Sequence, residues 1–272
     1  PQFTGIIISL AIKANIYFHF IVLQFLTKKR KMYTKRTVIL KEKMMEVQDY
    51  LSRMKKIQEA ILTYIEEEDS PQKNYMKLIK LFITLKIQTN KHDLKTLLHI
   101  ISNIADNHYR GSNFFNKIQK IFEFLKFSIK NNFSNYSIFN IFRNNKRIIL
   151  LLIQEQIIFI DKNIASILKI KEFKYIDYLF NYLKPFLKED IEPKNLENFN
   201  EMQKIGENDS YIAKLIREDK IDDFVSYVKK ENISLSDNIK ESIFESNPFL
   251  ADEYSYSLIE YAAFFGSIQI FR

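Results

Sequence analysis

The stretch Ser257–Arg272, SLIEYAAFFGSIQIFR, decides the predicted fold of this chain. Its first half is apolar and contains Ala262 and Ala263, whose small side chains let one helix pack closely on a neighbour. Gly266 follows, and glycine adopts a positive φ at little cost. Apolar residues resume at Ile268. The pattern predicts a tight helix–turn–helix in which Ala262, Ala263 and Gly266 are the structural residues.

This stretch resembles the ankyrin-repeat pattern T-P-L-H-x-A-A-x-x-G-H-x-E-I-V-K almost position by position. It departs from that pattern at Ser257, Leu258 and Glu260, where ankyrin repeats carry Thr, Pro and His. These departures remove the usual side-chain cap network between neighbouring repeats. The resemblance therefore implies the helix–turn–helix topology of an ankyrin repeat, but not the stability that this network provides. The chain stops inside this repeat, which we therefore expect to be truncated.

A second, weaker copy lies upstream in residues 211–233, YIAKLIREDKIDDFVSYVKKENI. Two runs of apolar residues flank Asp219-Lys220, which we predict to be the turn of a second helical hairpin. Asp219 precedes Gly266 by 47 positions, more than the period of about 33 residues in ankyrin repeats.

Residues 238–254, NIKESIFESNPFLADEY, are predicted to be an insertion that accounts for the longer period. Ser236 is a candidate N-cap for a short helix through Phe244. Asn247-Pro248 would end that helix, because the residue before a proline avoids the helical conformation.

Several further stretches resemble the ankyrin-repeat proteins that are greatly expanded in trichomonad protists, in which an all-helical N-terminal region of unknown function precedes the repeats. The stretches are MMEVQDYLSRMKKIQEAILTYIEEED (44–69), HYRGSNFFNKI (108–118), FSNYSIFNIFRNNKRI (133–148), GENDSYIAKLIREDKIDDF (206–224), SIFESNPFL (242–250) and LIEYAAFFGSIQIF (258–271). The resemblance implies an intracellular scaffold whose array normally continues, so that this chain is a fragment. It supplies no functional residues.

Composition favours an all-α fold. The 272 residues are 46% apolar, with only four Gly and five Pro to make turns, and apolar residues recur at spacings of three and four. We predict helical hairpins stacked as a solenoid that ends in degenerate ankyrin repeats. Helical patterns lie at 73–88, 92–107, 113–130, 136–143, 146–158, 163–170, 172–188 and 195–204.

The longest helical pattern runs from Val38 to Glu68. Its apolar residues lie close to a heptad seam: Leu40, Met44, Val47, Leu51, Met54, Ile61 and Ile65. Two interpretations remain open, a dimerising coiled coil and a single helix packed on those behind it. The second is favoured because flexible methionines specify a coiled coil poorly.

Charge divides the chain into three predicted regions. Residues 1–36 carry seven basic and no acidic side chains, residues 37–206 carry 27 basic and 20 acidic, and residues 207–272 carry 7 basic and 13 acidic. We interpret them as a hydrophobic then basic lead, an all-helical region and the degenerate ankyrin repeats. The acidic last region disfavours nucleic acid as its partner.

The lead contains an apolar segment from Gly5 to Leu26, followed by basic residues from Lys28 to Lys31. Its length is that of a tilted membrane span, but Lys13 lies within it, and a buried charge is costly there. Translated upstream sequence, a membrane anchor and a buried core helix are the three interpretations. We expect a cytoplasmic protein, or alternatively a membrane-anchored one with a cytoplasmic helical region.

No catalytic or cofactor motif is present. The four glycines are scattered and form no phosphate-binding loop, and the chain has no cysteine for thiol chemistry or thiolate metal sites. The histidines are His19, His92, His99 and His108, and none has the spacing of a zinc motif. We expect neither cofactor nor metal and no enzymatic activity.

Aromatic residues interleave with charged ones from Phe122 to Phe127, as base-stacking surfaces do. Helical spacing puts Phe122 and Phe124 on different faces, and we predict that these rings belong to the core.

The predicted function is a non-enzymatic scaffold that binds protein partners. Asp252, Glu253, Tyr254 and Tyr256 precede the repeat helix, where the hairpin tips of ankyrin repeats contact their partners, and they are the candidate partner-binding residues. A membrane-tethered adaptor that uses residues 5–26 and a nucleic-acid-associated protein that uses the basic helical region are the alternatives.

Overall fold

The computed structural model describes residues 34–67, 69–107, 113–170, 173–187, 198–251 and 256–271. These residues form 15 α-helices, one 3-10 helix and no β-strand, which confirms the predicted all-α class. The chain divides into two compact units, Pro1–Lys55 and Lys56–Arg272.

Helix α1 runs from Thr34 to Glu66, close to its predicted span. In the first unit its Val47 and Leu51 side chains are 44% and 53% exposed. In the second unit its Ile61 side chain is completely buried. The predicted seam is therefore a core-facing stripe only in its C-terminal part.

Between residues 69 and 206, the described part of the second unit contains nine further helices, and they follow the predicted segments closely. They are α2 (Pro71–Thr84), α3 (Lys91–Asn107), α4 (Phe114–Asn132), α5 (Asn135–Phe142), α6 (Lys146–Gln154), α7 (Lys162–Ile170), α8 (Phe173–Tyr178), α9 (Phe180–Leu183) and α10 (Phe199–Ile205), with a 3-10 helix at Lys184–Phe186. After α10 come α11 (Tyr211–Arg217), α12 (Ile221–Glu231), α13 (Pro248–Ala251), α14 (Leu258–Phe265) and α15 (Ile268–Phe271).

The core of the helical region lies among α3, α4, α5 and α6, which contact one another. Helices α3, α4 and α5 each turn a stripe of apolar residues inward, as the three and four spacing requires, whereas residues 146–152 of α6 are all buried. Phe122 and Phe142 meet edge to face, with ring centroids 5.4 Å apart. Phe122 thus belongs to the core as predicted, but Phe127 is 77% exposed because it lies on the opposite face of α4; its assignment to the core was wrong.

Five of the described helices end with the same backbone turn. The residues of these turns with a positive φ, between 50° and 67°, are Lys86, Gln156, Asp219, Asn232 and Gly266. In each case the N–H of the next residue donates to the carbonyl five positions back, for example Ile87 to Phe82 and Ile157 to Leu152. This is the Schellman arrangement, which satisfies carbonyls at a helix end.

The buried side chain of Lys117 binds carbonyl groups at the C-terminal end of α1. Lys117 Nζ donates to the Ile65 carbonyl at 2.8 Å and the Glu67 carbonyl at 3.0 Å, and lies 5.9 Å from the Tyr64 ring centre. Burial, with a smaller contribution from Tyr75, raises the pKa of Tyr64 to about 12. A cation among the last carbonyls of a helix stabilises that end.

The predicted helix from Ser236 to Phe244 is not formed. A turn closes when Asp237 N–H donates to the Ser234 carbonyl at 2.9 Å, and Asn238 then makes an isolated antiparallel bridge with Ser257. Pro248 begins α13 instead of ending a helix. The physical reason is that proline fits the first position of a helix, where no N–H bond is needed.

Candidate functional site

Helices α11 to α15, apart from α13, form two helical hairpins, which we call the hairpin stack. Helix α11 packs on α14, and α12 packs on α15, so the first helices are neighbours and the second helices are neighbours. Asp219 and Gly266 are the left-handed residues of the two turns, with φ of 50° and 67°. The turn that sequence analysis predicted at Asp219-Lys220 is confirmed.

Small residues lie where the two hairpins meet. Ala213 and Ala262 are fully buried in a cluster with Ile216, Leu258 and other apolar residues. Ala263 is half-buried. Gly266 has open space where a Cβ would stand, so its role is conformational, since its φ is one that other residues rarely adopt.

Two polar contacts join the hairpins at their turns. Asp219 Oδ1 accepts from the backbone N–H groups of Gln269 and Ile270, each at 3.1 Å. Ser267 Oγ donates to the Ile216 carbonyl at 2.5 Å. The first hairpin therefore caps the short second helix of the next.

Ser257 and Glu260 form a capping box at the start of α14. The Ser257 N–H donates to Glu260 Oε2 at 2.8 Å, and the Glu260 N–H donates to Ser257 Oγ at 3.4 Å. The Ser257 hydroxyl also donates to Glu260 Oε2, at 2.8 Å, and the hydrogen bonds from the Ser257 N–H and hydroxyl to the Glu260 carboxylate lower its pKa. Two of the three residues that depart from the ankyrin pattern, Ser257 and Glu260, thus cap their own helix.

Of the predicted partner-binding residues, Asp252, Glu253 and Tyr254 lie outside the described residues, and Tyr256 lies within them. Tyr256 is half-buried, and its hydroxyl donates to the Phe249 carbonyl at 2.6 Å. Phe249 is 55% exposed. Its ring centroid lies 5.2 Å from that of Tyr256 and 5.6 Å from that of Phe264, on which the ring is stacked. We call these three rings the aromatic cluster.

Sequence analysis missed a group of buried polar residues. Three separate stretches meet there: Asn145–Arg147 at the start of α6, Gly206–Asn208 after α10, and Glu245–Asn247 before α13. We call this group the polar junction. Most of its side chains, including Lys146, Arg147 and Glu245, are at most 5% exposed.

Two cations of the polar junction bind backbone carbonyls. Lys146 Nζ donates to the Ile243 carbonyl at 2.5 Å and lies 5.0 Å from the Tyr178 ring centre. Arg147 Nε donates to the Lys204 carbonyl at 2.6 Å. Both cations therefore link the start of α6 to segments far along the chain.

Glu245 supplies the matching acceptors. Its two oxygens accept from the backbone N–H groups of Asn208, at 3.2 Å, and Asn247, at 2.9 Å. Ser246 Oγ donates to the Gly206 carbonyl at 2.6 Å. A Cβ on Gly206, whose φ is 71°, would stand 2.8 Å from Arg147 Cγ. Glycine is thus required here for both conformation and space.

Arg217 connects the polar junction to the hairpin stack. Its Nε lies 2.7 Å from Glu207 Oε2, and its Nη1 donates to the Asn208 carbonyl at 2.9 Å and the Tyr261 hydroxyl at 3.0 Å. Burial lowers the pKa of Arg217, but Tyr261 and Glu207 raise it above its ordinary value. Burial, reinforced by Glu245, raises the pKa of Tyr261 well above its usual range, although Arg217 opposes the shift.

The histidines are dispersed. His92 Nδ1 lies 3.8 Å from Asp93 Oδ1, and the His92 side chain is 75% exposed. Burial, and secondarily Lys95, lowers the pKa of His99. Within the described residues, no group of three or more His, Asp or Glu side chains could hold a metal ion. His19 and His108 lie outside those residues.

No family model, curated protein or solved structure matches this chain. No helix in the described ranges combines the length and apolarity that a membrane crossing requires. Residues 5–26, which sequence analysis treats as a possible anchor, lie outside these ranges.

Proposed function

We propose that this protein is a non-enzymatic scaffold of the ankyrin-repeat type that binds protein partners in the cytoplasm. The observation that carries the proposal is the register of the hairpin stack, in which α11 packs on α14 and α12 packs on α15. Repeat proteins bury their core between such neighbours and leave an extended surface for a partner.

The interior of the hairpin stack supports an ankyrin-like arrangement. Its buried alanines allow close approach of the first helices, and Asp219 and Gly266 provide the same left-handed turn in both hairpins. We propose that the two hairpins are degenerate ankyrin repeats, and that the helices before them continue the same stacking as a solenoid.

The aromatic cluster is the proposed centre of the partner surface. Exposed aromatic rings held rigidly by their neighbours supply much of the binding energy at protein interfaces. Phe249 is such a ring, since Tyr256 and Phe264 flank it. The acidic balance of residues 207–272 favours a basic surface on the partner.

The test uses the 272-residue chain to capture partners from a lysate of the source organism, and identifies them by chemical crosslinking and mass spectrometry. Phe249→Ala removes the exposed ring, and Gly266→Val strains the turn. Phe127→Ala is the matched control, because Phe127 is 77% exposed but far along the chain from the cluster.

We expect at least one protein to be captured by the wild type and the control and lost with both other variants. Equal capture by all four chains, or capture of nothing beyond bare resin, would contradict the proposal.

A further inference from the structure

A basic surface covers helix α2 and the start of α3. Residues 70–105 contain six lysines, no arginine and one acidic residue, Asp93, which is 3% exposed. The six lysines are all exposed: Lys73, Lys77, Lys80, Lys86, Lys91 and Lys95. Within the described chain, none of them forms an ion pair with a carboxylate. Their charge is therefore available to an anionic partner.

The exposed face of α2 combines these cations with apolar side chains. Lys73, Lys77 and Lys80 follow one another at spacings of four and three, so they lie on one face of the helix. Met76 and Ile83 lie beside them at the same helical spacings, and they are 57% and 58% exposed. From Lys73 to Ile83 this face is about 15 Å long, because a helix rises about 1.5 Å per residue.

The acidic side chains near α2 lie away from the middle of this face. Glu67 and Asp69 precede the helix, and Glu67 Oε2 accepts from Nδ2 of the buried Asn74 at 2.5 Å. Burial, with a smaller contribution from Glu123 on α4, raises the pKa of Tyr75. Tyr75 lies two positions from the lysines on either side of it in sequence, and hence on the opposite side of α2. These carboxylates are thus at the N-terminal end of α2 or behind its exposed face.

We propose that this basic surface binds the headgroups of a bilayer that contains anionic lipids. The lysine ammonium groups lie at the level of the lipid phosphates, and Met76 and Ile83 enter the boundary between headgroups and acyl chains. Clusters of four to eight basic residues on an amphipathic helix are typical of proteins that recognise anionic lipids. Flexible lysine stems adapt to such a surface, whose charge is spread over many headgroups.

Two features favour a lipid surface over a nucleic acid strand or an acidic peptide. All six cations are lysines, whereas arginine is the residue that recognises a single phosphate or carboxylate through two parallel hydrogen bonds.

The second feature is that the exposed apolar side chains are aliphatic. Single strands stack their bases on exposed rings, but Phe82 is completely buried and the Tyr75 hydroxyl donates to the Lys120 carbonyl at 3.3 Å. Met76 and Ile83 gain free energy by leaving water for acyl chains, which phosphates do not offer them. Helix α2 is outside the hairpin stack, so this inference goes beyond the function proposed above.

The probes are vesicles of phosphatidylcholine alone and vesicles of phosphatidylcholine and phosphatidylserine in equal parts. Cosedimentation of the 272-residue chain gives its partition coefficient for each. A double variant, Lys77→Gln with Lys80→Gln, removes two charges from the face and keeps good helix formers. Its matched control is Lys229→Gln with Lys230→Gln, at two exposed lysines of α12, which changes the net charge by the same amount.

A second pair of variants tests the apolar contribution. Ile83→Ser removes an aliphatic side chain that is 58% exposed, and Ile268→Ser, at a residue that is 56% exposed on α15, is its control. Circular dichroism of all four variants checks that the fold is retained.

We expect the wild type to bind the phosphatidylserine vesicles more tightly than the phosphatidylcholine vesicles, and to be released by added salt. Binding to phosphatidylserine vesicles should weaken roughly thirtyfold in the α2 double variant, as the loss of two lysine contacts with an anionic surface implies. It should weaken roughly threefold with Ile83→Ser and change less than about twofold in the two controls.

Three outcomes would overturn the proposal. The first is equal binding to both kinds of vesicle, or binding that resists added salt, which would assign membrane binding to another part of the chain. The second is an equal loss in the α2 double variant and in its α12 control, which would reduce the effect to net charge. The third is a labelled oligo(dT) strand or polyglutamate that binds more tightly than the phosphatidylserine vesicles and loses affinity in the α2 double variant, which would assign the surface to nucleic acid or to an acidic protein.

Discussion

The polar junction and the hairpin stack hold their helices together by opposite means. The junction buries Lys146, Arg147 and Glu245 and binds them to backbone groups from distant segments, whereas the stack buries mainly alanine, aliphatic and aromatic side chains and has few polar contacts between its hairpins. Buried polar groups are costly when one partner is lost. We therefore expect the junction to tolerate substitution far less than the stack.

The largest effect should come from Glu245→Ala in the polar junction. The change leaves the buried N–H groups of Asn208 and Asn247 without their acceptor, at a cost of about 4 kcal/mol in the free energy of unfolding. Urea denaturation measures this loss. Glu231→Ala, at an exposed glutamate, is the control and should change the free energy by less than about 0.5 kcal/mol. A loss below about 1 kcal/mol for Glu245→Ala would remove the contrast between the two regions.

Gly206→Ala should have the second largest effect and lower the free energy of unfolding by about 3 kcal/mol, because it adds backbone strain and an overpacked contact. The new Cβ would stand 2.8 Å from Arg147 Cγ. Combining it with Arg147→Ala separates the two causes, since a steric contact makes the double variant cost less than the sum of the single ones. Strict additivity in urea denaturation would mean that the contact contributes nothing.

Gly266→Ala tests the same substitution in the hairpin stack. Gly266 has a φ similar to that of Gly206, but the space where a Cβ would stand is open. Only the backbone strain remains, and we expect a loss of about 1 kcal/mol. Gly266→Asn should cost less than Gly266→Ala, since asparagine tolerates the left-handed region. The thermal midpoints of the three chains test this order, and the reverse order would exclude a purely conformational role for Gly266.

The smallest effect concerns pH and the capping box of α14. Hydrogen bonds from Ser257 lower the pKa of Glu260 below its ordinary value of 4.5, so its contribution to stability is present above that value and is lost as the pH falls through the lowered pKa. Glu260→Gln should therefore be less stable than the wild type at pH 6 but approach it at pH 3. Urea denaturation across this range checks the trend, and a gap that does not vary with pH would contradict it.

The hairpins were predictable because their signals are local. Small residues, apolar periodicity and a glycine or Asp-Lys turn each act within a few positions of the chain. The equivalent turns at Lys86 and Gln156 gave no such signal, since neither residue type favours a positive φ. In both turns the residue that comes next, Ile87 or Ile157, is buried, and burial depends on contacts with distant segments.

The polar junction was not predictable from its residue types, because Lys146, Arg147 and Glu245 each look like surface residues. Whether such a side chain is buried depends on contacts with distant segments. One signal was present: the run IILLLI that follows Arg147 has no polar face, and a helix that is apolar on all sides is buried. All residues from Lys146 to Leu152 are in fact buried.

The contact between Asp219 and α15 has a consequence for the order of assembly. The carboxylate belongs to the first hairpin, whereas the N–H groups of Gln269 and Ile270 that it accepts from belong to the second. The N–H groups at the start of a helix have no acceptor within that helix. We therefore expect the start of α15 to become ordered together with or after the first hairpin, which supplies the acceptor.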